Sequence, residues 1–183
     1  MQRMLKPVDD CELVSAALGG DREAFRRLVE RHYDMIHRVA WRYLGSAADA
    51  EDVAQDVCVT LATRLSEFGG RSRFSTWVTS IAINRCRDSL RRRKSSQELS
   101  AQYVVRRELE DADHADDERR TGWLHEALQS LEPSLRETVL LIVAEDMSHA
   151  EAAVALGCAE GTVSWRLHMA KKELRALMEA GDE

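Results

Sequence analysis

Residues 148–172, SHAEAAVALGCAEGTVSWRLHMAKK, predict two helices joined by a tight turn. The first helix opens at Ser148, and Gly157 ends it because glycine can adopt the positive φ that such a turn requires. A second helix begins near Glu160 and has an apolar inner face made of Val163, Leu167, Ala170 and Leu174. This arrangement is typical of a helix-turn-helix, whose second helix can enter the major groove of DNA.

The side chains that lie away from this apolar face form a candidate DNA-reading surface: Thr162, Ser164, Trp165, Arg166, His168 and Lys172. On the first helix we expect Ala153, Val154 and Leu156 to face inward. An ordinary pair of antiparallel helices, common in helical proteins, is the alternative interpretation of this segment taken alone.

The rest of the chain is predicted to be all-α, because its 183 residues include only two prolines and apolar positions recur at helical spacing. In the first half the expected helices run from Asp9 to Leu18, from Asp21 to Gly45, from Ser46 to before Gly69, and from Ser75 to Lys94. Ala62 is expected on the apolar stripe of the third of these helices. A helix around Trp123–Leu131 and another beginning at Pro133 are expected in the second half, with inward-facing Leu135, Val139, Leu140, Ile142 and Val143.

The distribution of apolar residues divides the chain into two small helical domains, residues 1–95 and 121–183. Residues 96–120 between them are rich in Asp and Glu and have little apolar periodicity. Such a composition favours a solvated acidic linker rather than a third packed unit.

Several function classes are not supported by the sequence. There is no Gly-rich phosphate loop, HExxH motif or nucleophile elbow, so we expect no enzyme. Cys11, Cys58, Cys86 and Cys158 are widely spaced, and we expect buried or inert thiols, no metal site and no cofactor. A redox- or metal-sensing interaction module is the alternative, but the lack of paired spacing among cysteines and histidines disfavours it. Because no signal peptide or long apolar segment is present, we expect a reduced cytoplasmic protein with no membrane insertion of its own.

Charge is strongly partitioned although the net charge is −6. Between Arg85 and Lys94 there are six cations and one anion, Asp88, and Arg71 and Arg73 lie just upstream. Such a cluster suits contact with nucleic-acid phosphates, where each neutralised charge releases counterions. The alternative is a solvated helix end, where cations interact favourably with the helix dipole.

The third helix has the opposite character, since Asp49, Glu51, Asp52, Gln55 and Asp56 lie away from its apolar stripe. Acidic residues are expected in a first helical turn, but this patch extends into the second turn. Such a face repels DNA, so it is either simply solvated or it binds a basic protein surface.

The order of these segments closely resembles the extracytoplasmic-function (ECF) sigma factors of bacterial RNA polymerase. The resemblance covers nearly the whole chain outside the linker. It rests on Gly20-Asp21 with Ala24, Phe25 and Leu28; on Ala50–Val57 and Phe74–Trp77; on Ile81–Asn84 with Asp88, Arg91 and Arg92; and on Glu151–Ala153, Leu156-Gly157 and Gly161–Val163. It implies that the first domain is sigma region 2 and the second is sigma region 4.

The resemblance also implies a role for each surface. Asp49, Asp52, Gln55 and Asp56 would dock on core RNA polymerase at the β′ clamp helices, with further contact to β. The loop Glu67–Arg73 would hold a flipped base of the −10 promoter element. The residues that would contact −10 DNA are Arg71, Asn84, Arg85, Asp88, Arg91 and Arg92, and the phosphate-gripping run extends to Lys94. The candidate DNA-reading surface of the last helix would then read the −35 element.

Members of this family are commonly controlled by an anti-sigma factor, so such a partner is expected. The acidic linker would thread the RNA-exit channel of polymerase, and a passive tether is the alternative. Ser164-Trp165 departs from the common family pattern, so promoter sequence cannot be transferred from relatives. A freestanding helix-turn-helix regulator that does not bind polymerase is the competing function, but it has no use for the acidic face.

Overall fold

The computed structural model describes residues 8–99 and 127–181, and within these ranges the chain is helical with no strand. The first helices are α1 (Asp10–Leu18), α2 (Arg22–Leu44), α3 (Ala47–Arg64), a 3₁₀ turn (Leu65–Glu67) and α4 (Phe74–Leu99). They are followed by α5 (Pro133–Val139), a π-helical turn (Leu140–Ala144), α6 (His149–Leu156) and α7 (Glu160–Gly181). The expected all-α class is confirmed, and no helix in the described ranges is long and apolar enough to cross a bilayer.

The helix ends follow from local chemistry that the sequence already contains. The Asp21 carboxylate accepts the backbone N–H groups of Glu23 and Ala24, at 2.9 and 3.1 Å, and so caps α2. Ser148 and Glu151 form a reciprocal capping box at the start of α6. Gly157 ends α6 in the left-handed conformation, with φ of 65°.

The hydrophobic core is built around α2, against which α1, α3 and α4 pack. Its fully buried side chains include Leu28 and Ile36 of α2, Val57 of α3 and Val78 of α4. The same buried cluster continues into the second half of the chain through Leu140, Leu141, Ala152, Ala153, Leu156 and Val163. The two helical units therefore pack directly on each other, with α6 against α4.

Three residues expected in the core are exposed. Val143 lies in the π-helical turn, whose wider spacing rotates it out of the α-helical register, and it is 66% exposed. Val154 is 57% exposed because α6 buries the residues on both sides of it instead. Ala62 follows the buried Leu61 and lies beside the stripe rather than on it.

Helix α4 continues to Leu99, five residues beyond the Lys94 end that periodicity predicted. A helix needs no apolar residue at every turn, so an amphipathic stripe marks its packed part and not its full length. The rest of the predicted acidic linker, and the Trp123 end of the helix expected at Trp123–Leu131, lie outside the described residues. Residues 127–130 are helical, as expected for its other end.

The Gly157 turn can be tested by substitution. We expect Gly157→Ala to lower the free energy of unfolding by about 1–2 kcal/mol, the cost of a left-handed residue with a Cβ. No atom lies within 4 Å of the added Cβ, so the loss measures backbone conformation alone. Urea denaturation followed by circular dichroism measures it.

Gly161→Ala is the matched control, because Gly161 lies within α7 and its added Cβ also meets nothing within 4 Å. There alanine is expected to stabilise, by up to about 1 kcal/mol. Equal effects of the two substitutions would contradict the assigned turn.

Candidate functional site

The acidic face predicted on α3 is present and borders a groove between α3 and α4. Asp52, Gln55 and Asp56 are exposed, and Asp49 is half-buried. The groove has a volume of about 380 Å³ and is lined by all four of these residues together with Val53, Ser89, Arg92 and Arg93. The predicted acidic and basic surfaces therefore meet along one groove.

Ion pairs join the two walls of this groove. Arg93 Nη1 lies 2.9 Å from Asp49 Oδ2, and Arg92 Nη2 lies 4.0 Å from Asp56 Oδ2. The second pair is exposed and long, so solvent and salt weaken it. Asp52 and Gln55 stay on the open side of the groove, where a partner can reach them.

Gln55 is oriented by Glu51, which lies on the same acidic face but was not among the predicted docking residues. Its amide donates to Glu51 Oε1 at 2.8 Å, and the Tyr33 hydroxyl donates to the same oxygen at 2.8 Å. The hydrogen bond from Gln55, followed by that from Tyr33, lowers the pKa of Glu51. The bond to Glu51 raises the pKa of Tyr33 to about 12. Glu51 is thus a charged anchor for Gln55 across the physiological range.

Three of the candidate −10 residues on α4, Asn84, Asp88 and Arg91, lie on its solvent side, whereas Arg85 and Arg92 face α3. Asn84 and Arg91 are exposed, and Asp88, half-buried between them, pairs with Arg91. Arg85 Nη2 donates to Thr60 Oγ1 at 2.8 Å, and this hydroxyl in turn donates to the backbone oxygen of Asp56 at 2.7 Å. Thr60, which is buried, therefore holds Arg85 against α3, a contact that sequence spacing did not reveal.

Arg87 of the basic run faces the second helical unit. Arg87 forms a two-bond ion pair with Glu137 of α5, at 2.7 and 2.6 Å. The positive charge of Arg87 is therefore neutralised by Glu137 of the second helical unit. Arg87 therefore does not belong to the group of cations that the sequence predicted for phosphate contact.

The loop before α4 is tethered at both ends by aromatic side chains. Phe68 and Phe74 meet edge to face with ring centroids 5.2 Å apart, and Trp77 packs on both. Trp77 is half-buried against the hydrophobic core, as its helical position predicts. Between the anchors, Arg71 and Arg73 are exposed.

The helix-turn-helix is formed by α6 and α7. Val163, Leu167 and Ala170 are buried, whereas the DNA-reading candidates Ser164, Trp165, His168 and Lys172 are exposed and Thr162 and Arg166 half-buried. Trp165 is 59% exposed, so it is available to a ligand and does not pack into the domain. His149 Nδ1 lies 3.0 Å from Ser164 Oγ, which links α6 to the reading surface. Sequence reasoning missed His149, since it lies 15 residues away from its partner.

The fold and these surfaces define a two-unit helical protein of the sigma-70 type. Residues 28–96 match the family model of Sigma-70 region 2, and residues 121–174 match that of Sigma-70, region 4. The chain is 32% identical over 171 residues to the ECF RNA polymerase sigma factor SigM of Mycobacterium tuberculosis, covering 92% of this chain and 84% of that protein. It is 30% identical over 185 residues to the RNA polymerase sigma-H factor of Pseudomonas aeruginosa, covering 93% and 94%. This chain belongs to the ECF family of RNA polymerase sigma factors.

Solved structures agree with this assignment. The structure of CnrH in complex with the cytosolic domain of CnrY matches with a TM-score of 0.71 and 27% identity, over 94% of this chain and 97% of that one. The sigma factor RpoE of Bartonella quintana, in complex with the anti-sigma factor NepR, has the same fold at a TM-score of 0.67 and 22% identity, over 85% and 96%.

The cysteines differ sharply in accessibility, which permits a test. Burial, reinforced by the negative charge of Glu137, raises the pKa of the Cys86 thiol to about 12. At pH 8 only about one Cys86 in ten thousand is then a thiolate, the reactive form. We expect iodoacetamide at pH 8 to label exposed Cys11 readily and to leave Cys86 unlabelled, as read by mass spectrometry.

Denaturant supplies the control, because unfolding exposes all four thiols and should allow Cys86 to react as fast as Cys11. Rapid labelling of Cys86 in the folded chain would contradict its buried position.

Proposed function

We propose that this chain is a non-catalytic subunit of transcription initiation, which binds core RNA polymerase, recognises the −10 and −35 promoter elements and promotes melting of the DNA. One observation carries this proposal: an exposed acidic face on α3 lies beside the basic face of α4, in the same chain as an accessible helix-turn-helix. A freestanding DNA-binding regulator needs only the last of these.

The acidic face is proposed to dock on the β′ clamp helices, with further contact to β. Asp52, Gln55 and Asp56 are exposed and Asp49 borders the same groove, so four polar side chains can face one partner. Complementary charge across such an interface steers association and fixes its orientation. The acidic charge also keeps this face off the DNA.

The −10 element is proposed to bind the loop carrying Arg71 and helix α4, through Asn84, Arg85, Asp88, Arg91 and Arg92. The aromatic tether at Phe68 and Phe74 supports this role, because a loop fixed at both ends is pre-organised to hold an extruded base. Extrusion costs a few kcal/mol of stacking, which a fitted pocket offsets.

The −35 element is proposed to bind the outward face of α7, through Thr162, Ser164, Trp165, Arg166, His168 and Lys172. Arg166 lies three residues after the buried Val163 in α7. Because Val163 packs this part of the helix into the core, the backbone that carries the Arg166 side chain is held in place. A guanidinium held in this way can make bidentate contact with guanine.

The proposed domain division is residues 1–95 and 121–183, joined by 96–120, and the two family matches at 28–96 and 121–174 support it.

We propose further that the chain acts in the cytoplasm, where polymerase is, and that an anti-sigma factor controls it. The likeness to CnrH, which is solved in complex with the cytosolic domain of CnrY, supports such a partner.

Reconstitution tests the function directly. The purified chain is expected to co-elute with core RNA polymerase in gel filtration and to direct run-off transcription from promoters found by start-site mapping. A chain that binds duplex DNA but not the core enzyme would instead be a freestanding regulator.

The docking surface is tested by Asp52→Arg combined with Gln55→Ala. Both side chains are exposed, so the fold should be kept while affinity for core polymerase falls by about tenfold or more, through charge repulsion at the interface. Glu12→Arg, which reverses an exposed charge on α1, is the control and should leave the affinity unchanged. Equal affinity of all three proteins would remove the docking assignment.

The −35 contact is tested by Arg166→Ala. If Arg166 reads a base, holoenzyme affinity should fall by about 1–3 kcal/mol and discrimination should be lost at one −35 position only. Arg175→Ala on the exposed far part of the same helix is the matched control. A uniform loss across all −35 sequences would make Arg166 a phosphate contact and not a base reader.

A further inference from the structure

A hydrogen bond between two polar side chains joins the helices of the helix-turn-helix. His149 is the first residue of α6 and is half-buried, whereas Ser164 is exposed in the second turn of α7. His149 Nδ1 lies 3.0 Å from Ser164 Oγ. The Ser164 hydroxyl also lies 3.3 Å from the backbone oxygen of Glu160, one helical turn earlier, and can donate to it. A serine of the candidate DNA-reading surface is therefore bound from two sides by its own chain.

Capping and packing hold the backbone on both sides of this bond. Ser148 and Glu151 form the capping box that begins α6, so His149 lies between two residues that are hydrogen-bonded to each other. Val163, which immediately precedes Ser164, is completely buried where α6 and α7 pack together. The separation of His149 and Ser164 is thus set by the packing of two helices, and neither side chain has to move its backbone to reach the other.

These contacts use the only hydrogen that the Ser164 hydroxyl can donate. A serine hydroxyl has one hydrogen and two accepting lone pairs. At Ser164 this hydrogen has two acceptors within the chain, the Glu160 backbone oxygen and His149 Nδ1 when that nitrogen carries no hydrogen. When Nδ1 does carry a hydrogen, it donates to Ser164 Oγ, and the hydroxyl hydrogen is directed to Glu160. In either case Oγ offers a ligand only lone pairs.

An oxygen that only accepts hydrogen bonds discriminates between bases in the major groove. Adenine presents its N6 amino group there and cytosine its N4 amino group, whereas guanine O6 and N7 and thymine O4 are acceptors. An unrestrained serine hydroxyl bonds to either kind of base, because it can turn its hydrogen outward. At Ser164 such a turn breaks a hydrogen bond within the protein, so a base amino group is favoured.

We propose that His149 determines base specificity at one −35 position: it holds the Ser164 hydroxyl as an acceptor, so that Ser164 selects the exocyclic amino group of adenine or cytosine. This rests on the proposed function. His149 acts through Ser164 and is a positioning residue. Trp165, the next residue, is 59% exposed on the same surface, and its ring displaces water when this face enters the groove. A base acceptor facing Ser164 Oγ then loses hydration without gaining a bond.

Three variants separate the orientation of the hydroxyl from its presence. Ser164→Ala removes the hydroxyl. His149→Phe keeps a planar ring without nitrogen, so the hydroxyl is released to donate outward. His149→Asn restores a polar atom at the δ position, where it can again bond to Ser164 Oγ. His37→Phe, the same substitution at a half-buried histidine of α2, is the matched control.

Selection from a promoter library measures the base preference. Holoenzyme formed with each variant is bound to duplexes whose −35 element is randomised, and the bound DNA is sequenced. The parent chain is expected to favour adenine or cytosine by about three- to tenfold at the position that Ser164 reads. Ser164→Ala should abolish this preference at that position alone, and His149→Phe should reduce it by admitting guanine and thymine. His149→Asn and His37→Phe should keep it.

A base without its amino group tests the contact itself. In one fixed promoter the favoured base is replaced by its analogue without the exocyclic amino group, which is purine for adenine and 2-pyrimidinone for cytosine. Holoenzyme with the parent chain should lose about three- to tenfold more affinity than holoenzyme with Ser164→Ala. Any loss common to both proteins reports the weaker base pair, so the difference between them measures the hydrogen bond to Ser164.

The outcomes separate the two proposals. A Ser164-dependent preference for guanine or thymine would overturn the role of His149, and so would a preference that His149→Phe leaves unchanged. Equal losses of parent and Ser164→Ala on the amino-deleted promoter would do the same. If no holoenzyme forms, the proposed function fails, and the same library offered to the free full chain still decides whether His149 sets the preference. A chain that selects no sequence in either form contradicts both proposals.

Discussion

The structure depends on the burial of one face of α2. This helix of 23 residues is about 34 Å long and packs against α1, α3 and α4 along its apolar face. Its last turns carry Arg38, Arg42 and Tyr43, which contact the second helical unit. A single element thus lies at the centre of the first unit's core and also makes polar contacts with the second unit.

Charge segregation follows from this packing. Because α3 and α4 both pack on α2, their outward faces lie side by side and form the two walls of one groove. The acidic wall lies beside arginines that neutralise part of its charge, since Arg93 pairs with Asp49 and Arg92 with Asp56. A net charge of −6 therefore coexists with a surface suited to phosphates.

Much of the fold could be predicted because its signals are local. Asp21, Ser46 and Ser148 mark helix starts through hydrogen bonds to residues two or three positions away, and Gly157 marks an end through its φ. The misplaced residues depart from the regular α-helical pattern for two reasons. A π-helical turn displaces Val143, and neighbouring helices determine which side of α6 is covered, leaving Val154 exposed. The candidate surfaces were found from helical spacing, but their supporting contacts, Thr60 with Arg85 and His149 with Ser164, join different helices.

The sequence by itself determined the helices, the segregation of acid and base, the outward face of α7 and the family to which the chain belongs. Helical period, capping and composition act within a few residues, and these carry all of that information. Only the tertiary structure decided that Arg87 leaves the basic run to bind Glu137, 50 residues away, and that the loop carrying Arg73 meets α6 through an ion pair with Glu151. The physical reason is that the partner of a buried charge is selected by which helices pack together, and no local pattern encodes that choice.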